Sequence, residues 1–162
     1  MCRWLLKSGA DPKAKTDEGN TVVMWAAWAG GLEVTRWAVE EAAADLSVVN
    51  ENGCSVAHWA ASGGDEAVCR YLHANGVDFS HKNNAGNDPL NHAVAYGRRN
   101  IATWLLKLPD QSKPVRSGID VGVGKGGGGA SQRRRRDDPV LLDLARLTGD
   151  DNMAAFLLSD GQ

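Results

Sequence analysis

The chain has 162 residues, about the length of one ordinary domain, with 43% hydrophobic residues, 23% charged residues and a formal net charge of -2. This composition is typical of a globular protein and argues against a disordered or fibrous one. No run of about 18 apolar residues occurs, so the sequence predicts no membrane-spanning helix. Three irregularly spaced cysteines, Cys2, Cys54 and Cys69, argue against a disulfide framework. We therefore expect a reducing compartment, the cytoplasm, with the nucleus as the alternative.

The charges are unevenly distributed along the chain. Residues 17–66 hold nine Asp or Glu and a single basic residue, Arg36, whereas residues 67–136 hold twelve Lys or Arg and four Asp. The sequence therefore predicts an acidic end and a basic end.

A pattern with a period of 33 or 34 residues organises the sequence. Three segments superimpose, and each begins and ends on a glycine: Gly19–Gly30, Gly53–Gly64 and Gly86–Gly97. A second block follows each of them, at 34–39, 68–73 and 101–106, and the same block occurs again at 1–6 and 153–158. A period of this length is typical of repeat proteins, in which each unit buries its apolar face against its neighbours.

Each unit is predicted to hold one turn and two helices. Asp or Asn shortly before a glycine gives the turn, because glycine is free to adopt a positive φ. A segment of small residues follows as a first helix, and apolar residues at i, i+3 and i+4 form one face of a second helix. In chain order, the predicted helices are 21–29, 32–41, 55–62, 65–75, 88–96, 98–107, 139–147 and 150–158.

The unit resembles the ankyrin repeat, whose pattern is a turn, a Thr-Pro-Leu-His-x-Ala-Ala-x-x-Gly helix and a second helix. The resemblance covers residues 1–108 and part of 139–159. His58 keeps the motif histidine, Met24 and Asn91 replace it, and only Pro89 keeps the proline. In the family this histidine bonds to the turn backbone, so we expect the turn of the first full unit to be less well tied down. The resemblance implies an all-α solenoid of stacked antiparallel helix pairs joined by β-turn loops.

The predicted boundaries follow the repeat. They are a partial repeat at 1–16, full repeats at 17–49, 50–82 and 83–108, a flexible Gly- and Arg-rich loop at 109–138, and a C-terminal capping repeat at 139–162. Met1 aligns with Val68, inside a second helix. Either a first helix is missing or the array is a segment of a longer repeat protein, and the sequence leaves both open.

Three kinds of chemical site lack residues that their chemistry requires. Cys54 and His58, with Cys69 and His73, form two Cys-x3-His pairs, but the repeat assigns the two cysteines to a turn and to a second helix, so we expect packing cysteines and no metal. A Cys/His nucleophile lacks an orienting third group and an oxyanion site. The glycine-rich stretch lacks the Ser or Thr of a phosphate-binding loop after Lys125. We expect no cofactor and no catalysis.

Six tryptophans occur in the chain. Trp4, Trp37 and Trp104 share one position of the second helix with Tyr71 and Phe156, and Trp25 shares one position of the first helix with Trp59. We expect those five tryptophans in the core. Trp28 lies two residues before the helix-ending glycine, where Ser62 and Ala95 stand in the other repeats, and we expect it to be exposed.

The ankyrin resemblance also implies a function and a surface. Family members bind partner proteins through a concave surface formed by the turn tips and the first helices, so we expect a protein-binding module. Trp28 and Tyr96 would be its anchors, and Asp17, Glu18 and Glu51 would attract a basic partner. The full set of expected contact residues is Asp17, Glu18, Asn20, Trp28, Glu51, Asn52, Cys54, Ser62, Asn84, Asn87 and Tyr96. We expect a monomer that binds neither nucleic acid nor membranes.

A run of four arginines supports a different interpretation. Arg133, Arg134, Arg135 and Arg136 form a dense positive charge that Asp137 and Asp138 partly neutralise. The run is either simply solvated or a nuclear-import or nucleic-acid contact. In the second case the chain would be a regulatory or targeting fragment of a larger protein.

Overall fold

The computed structural model describes residues 8–9, 11–108, 146 and 155. Between residues 11 and 108 it contains six α-helices. They are α1 (Val22–Trp28), α2 (Leu32–Glu40), α3 (Val56–Gly63), α4 (Glu66–Ala74), α5 (Pro89–Ala95) and α6 (Arg99–Lys107). Each end lies within one residue of the predicted helix end, so the six helices predicted between residues 21 and 107 are confirmed.

Several of the predictions fall on residues that the structure does not describe. They are the helices at 139–147 and 150–158, except for the helical residues Arg146 and Ala155, the loop at 109–138 with its four arginines, and the second-helix block at 1–6.

The helices begin where the sequence supplies caps. In α4, the Asp65 side chain accepts a hydrogen bond from the Val68 amide at 3.1 Å. In α5, Asp88 accepts from the Asn91 amide at 3.0 Å, and Pro89 occupies the first helical position, where its missing N–H costs nothing. These side chains satisfy amide donors that a helix start leaves unpaired, which fixes where each helix begins.

Small residues let the first helices pack closely. α1 packs on α3, α3 packs on α5, and each also packs on the second helix that follows it. Ala27, Ala60, Ala61 and Ala93 are fully buried in this stack. A Cβ added to Gly63 would meet the backbone carbonyls of Trp28 and Ala27, so α3 approaches α1 too closely for any side chain there.

The second helices supply the larger apolar residues and an outer layer of charged contacts. In α4 and α6 the fully buried side chains are Val68, Cys69, Leu72, Ile101, Ala102 and Leu105. Outside this layer, the Arg36 guanidinium lies over the Tyr71 ring and the Arg70 guanidinium lies over the Trp104 ring, 5.9 and 5.7 Å from the centroids. The same cation-π contact therefore joins two successive pairs of repeats.

The turns complete each unit. Isolated antiparallel bridges, Lys15 with Thr21 and Val49 with Ser55, close the bases of two turns. In the described part of the chain, no helix is long and apolar enough to cross a membrane.

Candidate protein-binding surface

One asparagine side chain near the base organises each of the second and third turns. The Asn50 carboxamide oxygen accepts hydrogen bonds from the amides of Asn52 and Cys54, at 3.1 and 2.8 Å. Asn83 does the same for Ala85 and Asn87, at 3.1 and 3.0 Å. Because the asparagine side chain replaces a backbone acceptor, the residues at the tip are held outward and remain exposed.

The tips are also bonded to one another. The Glu51 amide donates to the Glu18 carbonyl at 3.0 Å, and the Asn84 amide donates to the Asn52 carbonyl at 3.0 Å. The Asn84 side chain adds a bond to the Glu51 carbonyl at 2.8 Å. Asp17, Glu18, Glu51, Asn52 and Asn84 are all exposed, so the tips form one continuous ridge that is acidic at its first end.

Two turn residues expected on this surface are buried beneath the ridge. The Asn20 carboxamide oxygen accepts from the Asn50 side chain at 2.8 Å, and the Cys54 sulfur accepts from the Asn83 side chain at 3.3 Å. Asn20 is 5% exposed and Cys54 is 8% exposed. The prediction that they face a partner is wrong, because both link one turn to the next. Asn87 is only partly exposed.

Ser62, also expected on the binding surface, is buried as well. Its hydroxyl donates to the His58 carbonyl at 2.9 Å and lies 3.1 Å from Nδ1 of His92 in the next repeat. Ser62 is therefore buried between α3 and α5 and is not on the exposed surface where we expected it.

His58 contacts the backbone of its own repeat and that of the next turn, as the ankyrin motif implies. Nδ1 lies 3.2 Å from the Ser55 amide, and Nε2 lies 3.0 Å from the Asn87 carbonyl oxygen. An amide N–H only donates and a carbonyl only accepts, so the neutral tautomer with hydrogen on Nε2 satisfies both contacts. Burial of the ring, which is fully enclosed, lowers the pKa of His58 to about 4.

The first full repeat lacks this arrangement. Met24 occupies the histidine position and is buried, and the Thr21 hydroxyl, which stands where Ser55 stands, is buried without a hydrogen-bond partner. The side chain of Thr21 makes no capping bond at the start of α1. The histidine link between the helix start and the turn is therefore absent from this repeat, and a weaker turn stays a prediction.

Exposed aromatic rings cluster on the first helices. Trp28 is 47% exposed, as predicted, and Tyr96 is 57% exposed. Trp25 is 46% exposed, so the prediction that it lies in the core is wrong. The Trp25 ring packs against the Trp59 ring, with centroids 4.8 Å apart. The centroid of the Trp28 ring lies 6.2 Å from that of Trp25.

The other tryptophans follow the prediction in different degrees. Trp104 is 8% exposed and belongs to the core. Trp37 and Trp59 are partly buried and pack against the core. Trp4 lies outside the described residues.

Among the described residues, the cysteines and histidines form no cluster of possible metal ligands. Within the described ranges, no group of three or more His, Cys, Asp or Glu residues could hold a metal ion. Cys54 and Cys69 are free and buried, and burial raises the pKa of the Cys69 thiol to about 12. A thiol with so high a pKa holds its proton at neutral pH and is a poor nucleophile and a poor metal ligand.

Comparison with known families agrees with this geometry. A model described as ankyrin repeats (many copies) matches residues 1–39, 29–73 and 57–106. The chain belongs to the ankyrin-repeat family. No curated protein matches it. Ankyrin repeats are in general protein-protein interaction modules, so the turn ridge and the exposed sides of the first helices are the natural place to look for a binding surface.

Proposed function

We propose that this ankyrin array is a non-catalytic module that binds another protein through its concave surface, formed by the turn tips and the exposed sides of the first helices. The observation that carries the proposal is the placement of exposed aromatic rings. Trp25 and Trp28 lie on α1 and Tyr96 ends α5, and each is about half exposed. Large rings left in water are typical of binding anchors, because burying them against a partner releases much apolar surface.

Charge indicates the kind of partner. Asp17, Glu18 and Glu51 are exposed on adjacent tips, and the bond from the Glu51 amide to the Glu18 carbonyl keeps two of these residues together. Carboxylates clustered on the tips favour a partner that presents Lys or Arg. Asn52, Asn84 and Asn87 add neutral hydrogen-bonding groups along the same ridge.

The array offers a matched control for a binding experiment. Val34, on α2, and Val49, before the second turn, are also exposed apolar residues, but neither lies on a first helix or at a tip. Affinity capture from native extract should compare the wild-type chain with Trp28→Ala/Tyr96→Ala and with Val34→Ala/Val49→Ala.

We expect Trp28→Ala/Tyr96→Ala to weaken partner binding by about 2 kcal/mol or more, roughly 30-fold in affinity. The valine pair should bind as the wild type does, and both double variants should melt near the wild-type temperature. Partners captured equally by all three chains would refute this surface. Arg133, Arg134, Arg135 and Arg136 would then be the next site to test, in line with a targeting fragment of a larger protein.

A further inference from the structure

Three histidine rings meet where the third repeat packs on the second. The ring centroid of His58, on α3, lies 5.0 Å from that of His92, on α5, and 5.8 Å from that of His81. His58 is fully buried and the other two are partly buried. Nε2 of His81 lies 3.1 Å from the Gly53 carbonyl oxygen, which ties this ring to the second turn. We call these three residues the histidine cluster.

The hydrogen bonds around His92 fit a neutral ring. The Ser62 hydroxyl donates its hydrogen to the His58 carbonyl, so it accepts from Nδ1–H of His92 at 3.1 Å. Nε2 of His92 is then an acceptor, and the Asn83 carboxamide nitrogen lies 3.4 Å from it. Asn83 cannot turn its oxygen towards this ring, because that oxygen accepts the two backbone amides that shape the third turn. A second proton on His92 would therefore set two N–H donors against each other.

His58 is restricted in the same way. A second proton, on Nδ1, would meet the Ser55 hydroxyl at 3.1 Å and the Ser55 amide at 3.2 Å. The hydroxyl can accept this proton, but the buried amide would lose its acceptor. Nε2 of the same ring holds the Asn87 carbonyl of the third turn. Protonation of His58 would therefore disturb the residue that fastens the third turn to α3.

The charges around the cluster do not compensate for added protons. Asp88, the N-cap of α5, is the carboxylate that favours the charged forms of His58 and His92. Burial outweighs it and lowers the pKa of both rings, that of His58 to about 4. Arg98, whose Nε donates to the Ser62 carbonyl at 2.9 Å, is a fixed cation at the same interface. Positive charges on neighbouring rings of the cluster would also repel one another.

The interface between the first and second repeats has no titrating group of this kind. All four histidines of the chain lie between residues 58 and 92, so the first repeat has none. Met24 aligns with His58 and is buried. At the position of His92, the Trp25 and Trp59 rings pack against each other. Acid therefore acts on one of the two interfaces and not on the other.

We propose that the histidine cluster makes the third repeat an acid-sensitive unit. Uptake of protons by His58 and His92 releases the third turn and α5 from α3, while the first and second repeats stay packed together. Asn84 and Tyr96 belong to the released part, so mild acid would remove their share of the proposed binding surface. Only this last consequence rests on the proposed function, and the release itself can be measured without a partner.

Two equivalent backbone bonds provide the measurement and its internal control. The Asn84 amide donates to the Asn52 carbonyl across the acid-sensitive interface, and the Glu51 amide donates to the Glu18 carbonyl across the other. Amide hydrogen exchange of the full chain at about pH 7.5 and about pH 5, corrected for the intrinsic rate at each pH, reports how often each interface opens. A pKa of about 4 for His58 in the closed interface and of about 6.5 once released gives about 30-fold more opening at the lower pH.

We therefore expect the protection of the Asn84 amide to fall about 30-fold in acid while that of Glu51 is retained. His58→Asn/His92→Gln, which replaces both rings with neutral polar residues, should keep the Asn84 protection nearly constant. His73→Gln, a histidine outside the cluster, should behave as the wild type does. Equal losses at Glu51 and Asn84, or no loss at Asn84, in the wild-type chain would overturn the proposal even if the double variant fails to fold. A full loss at Asn84 in a folded double variant would overturn it as well.

Discussion

Nε2 of His58 lies 3.0 Å from the carbonyl oxygen of Asn87, 29 positions further along the chain. The same ring accepts from the Ser55 amide, so one buried side chain caps α3 and fastens the next turn to it. No equivalent link exists in the preceding repeat, where Met24 occupies the position.

We expect His58→Met to destabilise the array by about 2 kcal/mol or more. Methionine fills the space but leaves the Ser55 amide unpaired in a buried position, which costs the desolvation of that group. Urea unfolding followed by circular dichroism measures the loss. His81→Met is the matched control, because His81 is partly exposed and its Nε2 lies 3.1 Å from the Gly53 carbonyl oxygen. This substitution should cost less. Equal losses in the two variants would contradict the role given to His58.

The reverse change, Met24→His, should stabilise the chain by roughly 1 kcal/mol. A histidine here would give the buried Thr21 hydroxyl the partner that it lacks and would bring Nε2 towards the Cys54 carbonyl, which aligns with that of Asn87. Met24→Leu should change the unfolding free energy much less. Thr21→Val should reduce the gain from Met24→His, and a gain that survives this second change intact would show that the hydroxyl is not involved.

Stability should fall in mild acid. Burial lowers the pKa of folded His58 to about 4, below the value of about 6.5 for an unfolded histidine. The unfolded chain therefore binds more protons between these values, and the stability that is fully present above pH 6.5 declines as the pH drops towards 4. His58 alone accounts for a loss of about 3 kcal/mol across this window. Burial also lowers the pKa of His92, which adds to the loss in the same direction.

The pH dependence can be assigned by substitution. His58→Asn carries the residue found at this position in the third repeat, where the Asn91 side chain accepts from the Asp88 amide at 3.0 Å. Unfolding free energies between pH 4 and pH 8 should vary less steeply in this variant than in the wild type. The same steepness in both would show that other groups control the acid response.

The close approach of α3 to α1 makes Gly63 sensitive to a single methyl group. A Cβ there would meet backbone carbonyls, which cannot rotate away, so Gly63→Ala should cost about 2 kcal/mol, in the range of overpacked cores. Gly31→Ala is the control, because its Cβ would meet neighbours at ordinary contact distances of 3.6 to 3.8 Å. Thermal melts of the two variants should separate clearly, and a neutral Gly63→Ala would mean that the helices are less closely packed than described.

Periodicity predicted the helices well because each repeat carries the same local signals, such as an Asp or Asn shortly before the turn glycine, the helix-ending glycine and the apolar face of the second helix. The repeat alignment was a poorer guide to burial, because residues at the same position of different repeats are buried to different degrees. Trp25 and Trp59 share one position, yet Trp59 packs on Trp25 and Trp25 has no helix ahead of it among the described residues. A short polar residue was equally ambiguous. Ser62 aligns with the exposed Trp28 but turns inward, because a hydroxyl can reach both the His58 carbonyl and His92.

Site-specific photo-crosslinking tests the proposed binding surface most directly. A benzophenone amino acid placed at Tyr96, on the surface of the first helices, should form covalent adducts with a partner protein in native extract. The same probe at Ala67, an exposed residue on the second helix α4, should not. Adducts at position 96 that disappear when Trp28 is changed to alanine are the result we predict. Adducts that form at Ala67 and not at position 96 would place the partner on the opposite side of the array and contradict the proposal.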